Sequence, residues 1–534
     1  MKFLRVAFLG LAAVLAFNLQ AQEETGQTRV DGVRKLDALL TVINYAYVDE
    51  VKNEKLVEDA IVGMLEELDP HSVYIPEKEL KAMNEPLEGN FEGIGIQFNI
   101  LKDTLMVVFP IQGGPSEKLG IMAGDKIITI DEENVAGVGL TNSMVRDRLR
   151  GKKGTTVDVE IKRRGEKDPI PFTITRDKIP LYSVDAVYMA TPEIGYIKVN
   201  RFARTTMDEF NKGMAELKEQ GAEHMILDLR GNGGGYLQTA VLMADEFLDQ
   251  GKLIVYTEGD KQKKEEYKAT SRGAFEKGKL TILIDEGSAS ASEIVSGAVQ
   301  DSDRGMIIGR RSFGKGLVQK SFPLTDGSAI RLTTARYYTP TGRSIQRPYN
   351  DGKDVYYKEI SRRYNAGELV DRDSIDFPDS LKFYTPNGRM VYGGGGIMPD
   401  IFIPLDTSLN TDLNRSLMRR GVYNEFTLTY LDKNRKKLNK EYESLSSFKS
   451  NFDINEEFID KFSSFAEKKN VEWTDSAYTE SKKLVDTQLK ALLARNLFDT
   501  SAYFEIINQL NDSYLEAINV IQSDQFEKAK LEYE

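Results

Sequence analysis

The residues best equipped for chemistry lie between 285 and 319, in the segments DEGSASASEIVSGAVQ, DSDRGMIIGRRS and FGKGLVQ. Leu280 to Ile284 is an apolar run that predicts a short buried strand, and Ser292 to Gln300 carries Ile294, Val295, Ala298 and Val299 at helical spacing. Ser288, Ser290 and Ser292 therefore fall where a strand turns into a helix. A hydroxyl at that place lies beside backbone N–H groups without helical partners, which stabilise negative charge growing on an attacked carbonyl. Ser290-Ala291-Ser292-Glu293 also spells S-x-x-E, a capping box whose hydroxyl only closes the helix end. Further on, Lys315 stands in Phe313-Gly314-Lys315-Gly316, between the apolar segments Met306 to Ile308 and Leu317 to Val318. A lysine drawn out of water holds its proton less tightly and can serve as a general base. If the chain there runs as a strand, Gln319 shares the face of Lys315 and its amide can hold the amine in place.

What the chain lacks narrows the chemistry. Cysteine is absent, which removes a thiol nucleophile, a disulfide framework and a cysteine-based metal site. The two histidines are His71, in the turn LDPHSVYIP, and His224, at the start of a predicted strand. Placed so, they do not suit a Ser-His-Asp triad, and no H-E-x-x-H zinc motif occurs. Gly309 to Gly316 reads G-x-x-x-x-G-K-G, close to a phosphate-binding loop. It lacks the hydroxyl that ligates magnesium, and Leu317 to Phe322 alternates like a strand where that loop needs a helix. A net charge of −12 argues against nucleic acid as the main partner.

GSASASE, the lysine that follows it and the glutamine four residues later resemble the carboxy-terminal processing peptidases, or tail-specific proteases, of the S41 serine peptidase group. The resemblance implies Ser290 as nucleophile, Lys315 as general base and Gln319 as the residue that orients the lysine. It also implies an oxyanion hole from backbone N–H groups of Gly234 and Ala291. Gly234 lies in Asp228-Leu229-Arg230-Gly231-Asn232-Gly233-Gly234-Gly235, which a plain glycine-rich turn would also explain. Leu332 to Pro340 (LTTARYYTP) and Gly393 to Asp400 (GGGGIMPD) resemble further family blocks near the active site. No metal and no cofactor are implied.

These residues need elements to hold them, and 534 residues predict several domains. Lys2 and Arg5 precede an apolar run from Val6 to Phe17, shorter than the ~20 residues that span a bilayer. Residues 1–21 thus read as a secretory signal, and the expected location is exported, in the periplasm. Left uncleaved, that segment would keep the chain beside a membrane. Residues 22–85 form a helical N-terminal segment, with one helix expected from Val30 to Leu68 and an inward stripe of Leu56, Ala60, Ile61, Met64, Leu65 and Leu68. Residues 86–178 resemble a PDZ domain, most closely in GPSEKLGIMAGDKI from Gly114 to Ile127. Gly93, Ile94, Gly95 and Ile96 match the loop that holds a peptide's terminal carboxylate. Glycines let backbone N–H groups converge on one anion, and the next strand offers its edge to the peptide; a hairpin would use the same glycines.

Residues 179–405 form the mixed α/β protease core, ClpP/crotonase-like by the resemblance, with a βαβ rhythm in Ile194 to Val199, Thr206 to Gln220 and Met225 to Leu229. The polar stretch 351–387 receives no role. Residues 406–534 show apolar residues at helical spacing, as in Val485, Leu489, Leu492 and Leu493, which suit packed helices, a homodimer contact or a wall around the site. The expected class is multidomain α/β. The expected function is a serine endopeptidase that selects proteins by apolar C-terminal tails; the alternative is a catalytically idle scaffold that binds such tails.

Overall fold

The computed structural model describes residues 30–111, 113–408 and 410–533; the expected signal segment 1–21 lies outside them. The chain divides into two compact units between Tyr74 and Ile75. In the first, the single helix expected from Val30 to Leu68 is two: α1 over residues 30–46 and α2 over Asn53–Glu66. The break contains Val48, Asp49 and Val51, weak helix formers that stiffen or compete with the helical backbone. Of the expected inward stripe only Leu65 is buried, while Met64 and Leu68 are exposed. Spacing defines an apolar face; it does not supply the surface that covers it. His71 sits in the turn after α2, where the Asp69 carboxylate accepts its N–H at 2.8 Å.

The second unit opens with α3 (Glu77–Glu88) and a strand β1 (Asn90–Gly93). Then comes the β-rich domain: β2 (Ile96–Ile100), β3 (Leu105–Pro110), β4 (Lys126–Ile130), helix α4 (Asn142–Leu149), β5 (Thr156–Lys162) and β6 (Ile170–Thr175). Its strands pair antiparallel in the order β2-β3-β4-β5-β6, so β2 stands at an edge. Burial alternates along β5, with Val157, Val159 and Ile161 inside, as a sheet with one wet face requires. On leaving this domain the chain forms β7 (Asp177–Pro180), which pairs antiparallel with β1. Entry and exit are thereby zipped into one two-stranded ribbon.

The core follows with β8 (Val184–Met189), β9 (Ile194–Val199), α5 (Thr206–Glu219), β10 (His224–Asp228), α6 (Leu237–Asp245), β11 (Leu253–Gly259), β12 (Gln262–Lys268), β13 (Leu280–Ile284), α7 (Ala291–Asp301) and β14 (Met306–Gly309). After them come β15 (Leu317–Pro323), β16 (Ala329–Tyr338), α8 (Lys353–Asn365) and β17 (Ile401–Phe402). The main sheet runs β8-β9-β10-β13-β14-β17, parallel except for β8. Parallel strands are covered on both faces, which is why β13 is buried at every position. On one face Phe210, Met214, Ala240, Met243, Ile294 and Val295 of α5 to α7 pack on Val199, Leu227 and Ile282. A second, antiparallel sheet sets β16 between β11 and β15.

Past β17 the helices α9 (Val422–Glu441), α10 (Asp475–Leu497) and α11 (Asp512–Gln522) appear. The region expected as a helical extension divides in two. Residues from Leu413 to Ile506 build their own core, against which Trp473 packs with its ring edge-on to Phe462. Tyr514, Ala517, Val520 and Ile521 of α11 instead cover the second face of the main sheet, on Tyr196, Ile226, Leu283 and Ile308. Among the described residues no helix is long and apolar enough to cross a membrane.

Candidate active site

Ser290 lies at the carboxyl end of the parallel strands, where β13 turns into α7. Ligand-handling groups gather at this end of such sheets because the loops there are free of ladder pairing. Ser290 occupies the N-cap with φ +55° and ψ −110°, a conformation L-residues rarely adopt and one that only over-determined surroundings maintain. The surroundings are side chains bonded to backbone. Ser288 is fully buried and its Oγ donates to the Leu229 carbonyl at 2.8 Å; Ser292 is fully buried and donates to the Asn232 carbonyl at 2.8 Å. Ser290, between them, is half-exposed. The flanking serines thus fasten the turn to the glycine-rich loop after β10, and the middle one faces the open side.

Glu293 performs the cap expected of S-x-x-E and more. Its carboxylate accepts the Ser290 N–H at 2.7 Å, and also the Ser312 hydroxyl at 2.5 Å and the N–H groups of Gly314 at 2.6 Å and Lys315 at 2.9 Å. The cap of α7 and the hold on the Lys315 loop are therefore one device. Burial pushes the Glu293 carboxyl up from its ordinary value, against the pull of the four donors. Tyr337, on β16, works from the carbonyl side: its hydroxyl lies 2.7 Å from the Lys315 oxygen and 3.1 Å from the Ser290 oxygen, sharing one proton between them. Burial, then the charge of Glu293, raises the Tyr337 hydroxyl well above the usual phenol range, so it stays a donor. Two buried side chains hold the backbones of Ser290 and Lys315 as a pair.

Lys315 itself is half-buried rather than enclosed, and it precedes β15 instead of lying in it. The strand alternation that would have set Gln319 on its face does not apply, because the strand starts at Leu317 and a bulge falls between Val318 and Gln319. A bulge shifts every later side chain out of register with what precedes it. The Gln319 amide donates to Thr333 Oγ1 at 3.3 Å, across the β15/β16 pair.

The glycine loop approaches the same point. A Cβ on Gly234 would meet Ser290 Cβ and the Ala289 oxygen at 2.9 Å, and its φ is +101°, so only glycine fits. Its N–H, expected as an oxyanion donor, is turned to Asn232 Oδ1 at 2.9 Å. The N–H of Ala291, first residue of α7, belongs to the helix end that has no intrahelical acceptor. At the root of the loop Asp228 is fully buried among Arg230 at 2.5 Å, the Tyr196 hydroxyl at 2.6 Å and Lys198 at 3.5 Å. Burial alone would raise that carboxyl; the charges of Arg230 and Lys198 outweigh it and hold the carboxyl far below the usual range.

In the β-rich domain, Gly93 ends β1, Ile96 begins β2, and Ile94 and Ile96 are buried. Gly95 has φ +74°, and a Cβ there would stand 2.9 Å from Ile179 Cδ1. The Ile94 carbonyl accepts both the N–H and the hydroxyl of Ser116, at 3.1 and 2.6 Å, which fixes the loop beside the free edge of β2.

Sequence reasoning missed the reach of Glu293 to the lysine loop and the role of Tyr337. The S-x-x-E spacing and the block LTTARYYTP were the available signals, but neither states what a side chain touches across the fold.

Residues 193–352 match the model of peptidase family S41, residues 93–172 that of the PDZ domain and residues 10–79 that of the activating protease CtpB N-terminal domain. Residues 413–499 match a family of unknown function. The chain is 35% identical over 332 residues to the carboxy-terminal processing protease CtpB of Bacillus subtilis, which spans 61% of this chain and 68% of that one. It is 35% identical over 368 residues to CtpA of the same organism, spanning 68% and 74%. It is 39% identical over 305 residues to the carboxy-terminal-processing protease of Bartonella bacilliformis, spanning 56% and 69%.

Proposed function

The chain belongs to the carboxy-terminal processing proteases of peptidase family S41, and from that premise we propose that it cuts proteins chosen by their C-terminal tails with Ser290 as nucleophile and Lys315 as general base. The observation that carries the reading is the double tether of these two residues, through Glu293 on their N–H groups and Tyr337 on their carbonyls. Backbones held together this way support a nucleophile and base that come within hydrogen-bond reach when substrate binds.

In the proposed cycle the neutral Lys315 amine takes the Ser290 proton as Oγ bonds to the scissile carbonyl carbon. The carbonyl π electrons move to oxygen, and that oxyanion is met by the Ala291 N–H and the N-terminal end of α7. The electrons return, the carbon–nitrogen bond breaks, and the lysine ammonium protonates the leaving amine. Water then gives a proton to Lys315, attacks the acyl-enzyme ester, and frees the second product with Ser290 reprotonated. Gln319 orients the lysine in this reading. Gly234 joins the oxyanion hole once its N–H is released from Asn232, which makes substrate entry and completion of the hole a single event.

The PDZ domain captures the tail: the Gly93–Ile96 loop meets the terminal carboxylate, the edge of β2 pairs with the peptide, and the tail ends in an apolar residue. The chain works outside the cytoplasm, in the periplasm, after its leader at residues 1–21 has directed export. The C-terminal helices outside α11 serve a homodimer contact or a wall around the site.

The test is cleavage of a folded protein ending in an apolar tail, by the wild type, Ser290→Ala and Lys315→Ala. Turnover is expected only in the wild type, with tail binding retained in all three. Full turnover by either variant overturns the assignment, and equal binding with no cleavage by any of them identifies the idle scaffold. Amidating the tail's carboxylate is expected to raise KM; an unchanged KM removes carboxylate capture from the reading.

A further inference from the structure

The polar stretch after residue 352, where the match to the S41 family model stops, contains α8 and packs directly behind the loop that carries Lys315. Arg363 of α8 is wholly buried, an expensive place for a guanidinium unless every fork of it is used. Its Nη1 donates to the Ser312 carbonyl at 2.8 Å, its Nη2 to the Gly395 carbonyl at 3.1 Å and its Nε to Glu359 at 2.8 Å. Glu359 in turn accepts from Arg347 at 2.6 Å. The Arg347 guanidinium lies 3.9 Å from the ring centres of both Phe313 and Tyr356, and its backbone N–H donates to the Gly314 carbonyl at 3.1 Å. A loop residue, Phe313, and a helix residue, Tyr356, are thus joined through one cation. The carbonyls of Ser312 and Gly314 are taken from this side, while Glu293 takes the N–H groups of Gly314 and Lys315 from the other.

We propose that α8 is the positioning element of the general base, with Arg363 its positioning residue: it sets the backbone course of residues 312–316 and so where the Lys315 amine arrives. Five donors in a rigid plane suit this task, since one side chain can meet two loop carbonyls and an anchoring carboxylate at fixed angles. Lysine in its place keeps the charge and loses the fork. The proposal rests on the reading of Lys315 as base and gives the stretch 351–387 a place in the catalytic machinery.

The experiment is steady-state cleavage of one apolar-tailed substrate by Arg363→Lys, Arg363→Met and Lys315→Ala, with rates referred to the folded fraction measured by circular dichroism. Displacing a catalytic group by about 1 Å costs about 10²-fold, so kcat is expected to fall about 10²-fold in Arg363→Met and about tenfold in Arg363→Lys. KM is expected to stay within about twofold, because the tail is held elsewhere. A kcat per folded molecule within about twofold of wild type in both variants, with only the melting temperature lowered, overturns the proposal and leaves α8 a stabiliser. If Arg363→Met does not fold, Phe313→Leu loosens the same grip from the loop side; a loss of kcat at unchanged KM upholds the proposal and an unchanged kcat sinks it. Turnover retained by Lys315→Ala sinks the base assignment and this proposal together. A dead Lys315→Ala beside fully active Arg363 variants sinks this proposal alone.

Discussion

Around Ser290 nearly every restraint is a buried side chain bonded to the backbone of another segment: Ser288 to Leu229, Ser292 to Asn232, Glu293 to Lys315 and Tyr337 to Ser290. The PDZ domain meets its neighbours differently. It is joined by the β1/β7 ribbon, by one small apolar cluster in which Met106 and Val108 touch Leu428 of α9, and by half-exposed ion pairs such as Arg150 with Glu85 and Arg164 with Asp432. A broken bond in the first region leaves a buried polar group unpaired, at about 1–3 kcal/mol each, whereas an exposed ion pair contributes about 0–1 kcal/mol. The contrast teaches that one chain can fix the turn that bears Ser290 while hanging its PDZ domain on contacts that open at low cost.

Substitutions can break or sharpen that contrast, and the largest effect is expected at Asp228. Removing one charge from a buried ion cluster costs about 3–5 kcal/mol, so Asp228→Asn should lower the urea midpoint markedly at neutral pH. The sign of the pH effect follows from the carboxyl's depressed value: its contribution is present above the unfolded carboxylate range, about pH 4, and fades as pH falls through the folded value. The gap between variant and wild type should therefore narrow in strong acid. An equal gap at both pH values would show that the charge is not what anchors the glycine loop.

Next is Glu293→Gln, which puts an amide NH₂ where N–H groups point. A loss of about 10²–10³-fold in kcat is expected with tail binding unchanged, and a loss below about threefold would mean that the carboxylate only caps its helix. On the PDZ side, Gly95→Val meets both the positive φ and the nearby Ile179 side chain. KM for a tailed protein should rise about tenfold, roughly 1.4 kcal/mol, while short untailed peptides are cut at the wild-type rate. A comparable effect is expected from Leu428→Ala, about 1–2 kcal/mol at a shallow contact. Hydrogen exchange should quicken along β3 and stay unchanged in α7; coupled changes in both would end the distinction between the two regions.

Much of the site was readable in the sequence because it is local. An apolar run, a cluster of serines and an apolar helix spacing suffice to place Ser290 between β13 and α7, and the glycine run after β10 falls where a strand meets a loop. What failed was long-range or depended on one residue of register. The Lys315–Gln319 spacing assumed a strand two residues longer than the real one and no bulge. Arg343, Arg347 and Arg363 carried no signal in the sequence, and all three are buried, bonded to Asp301, Glu359 and the Ser312 carbonyl. The stripe on α2 was real as a pattern and mostly bare in fact, since a period says which side is apolar and nothing about its cover.

The back of the sheet that bears the Ser290 turn is closed by α11, a segment made long after the strands it covers. Tyr196, Ile226, Leu283 and Ile308 stay bare on that face until α11 packs on them, so the strands that lead into the Ser290 turn depend for their second cover on a contact of long sequence separation, one that closes slowly.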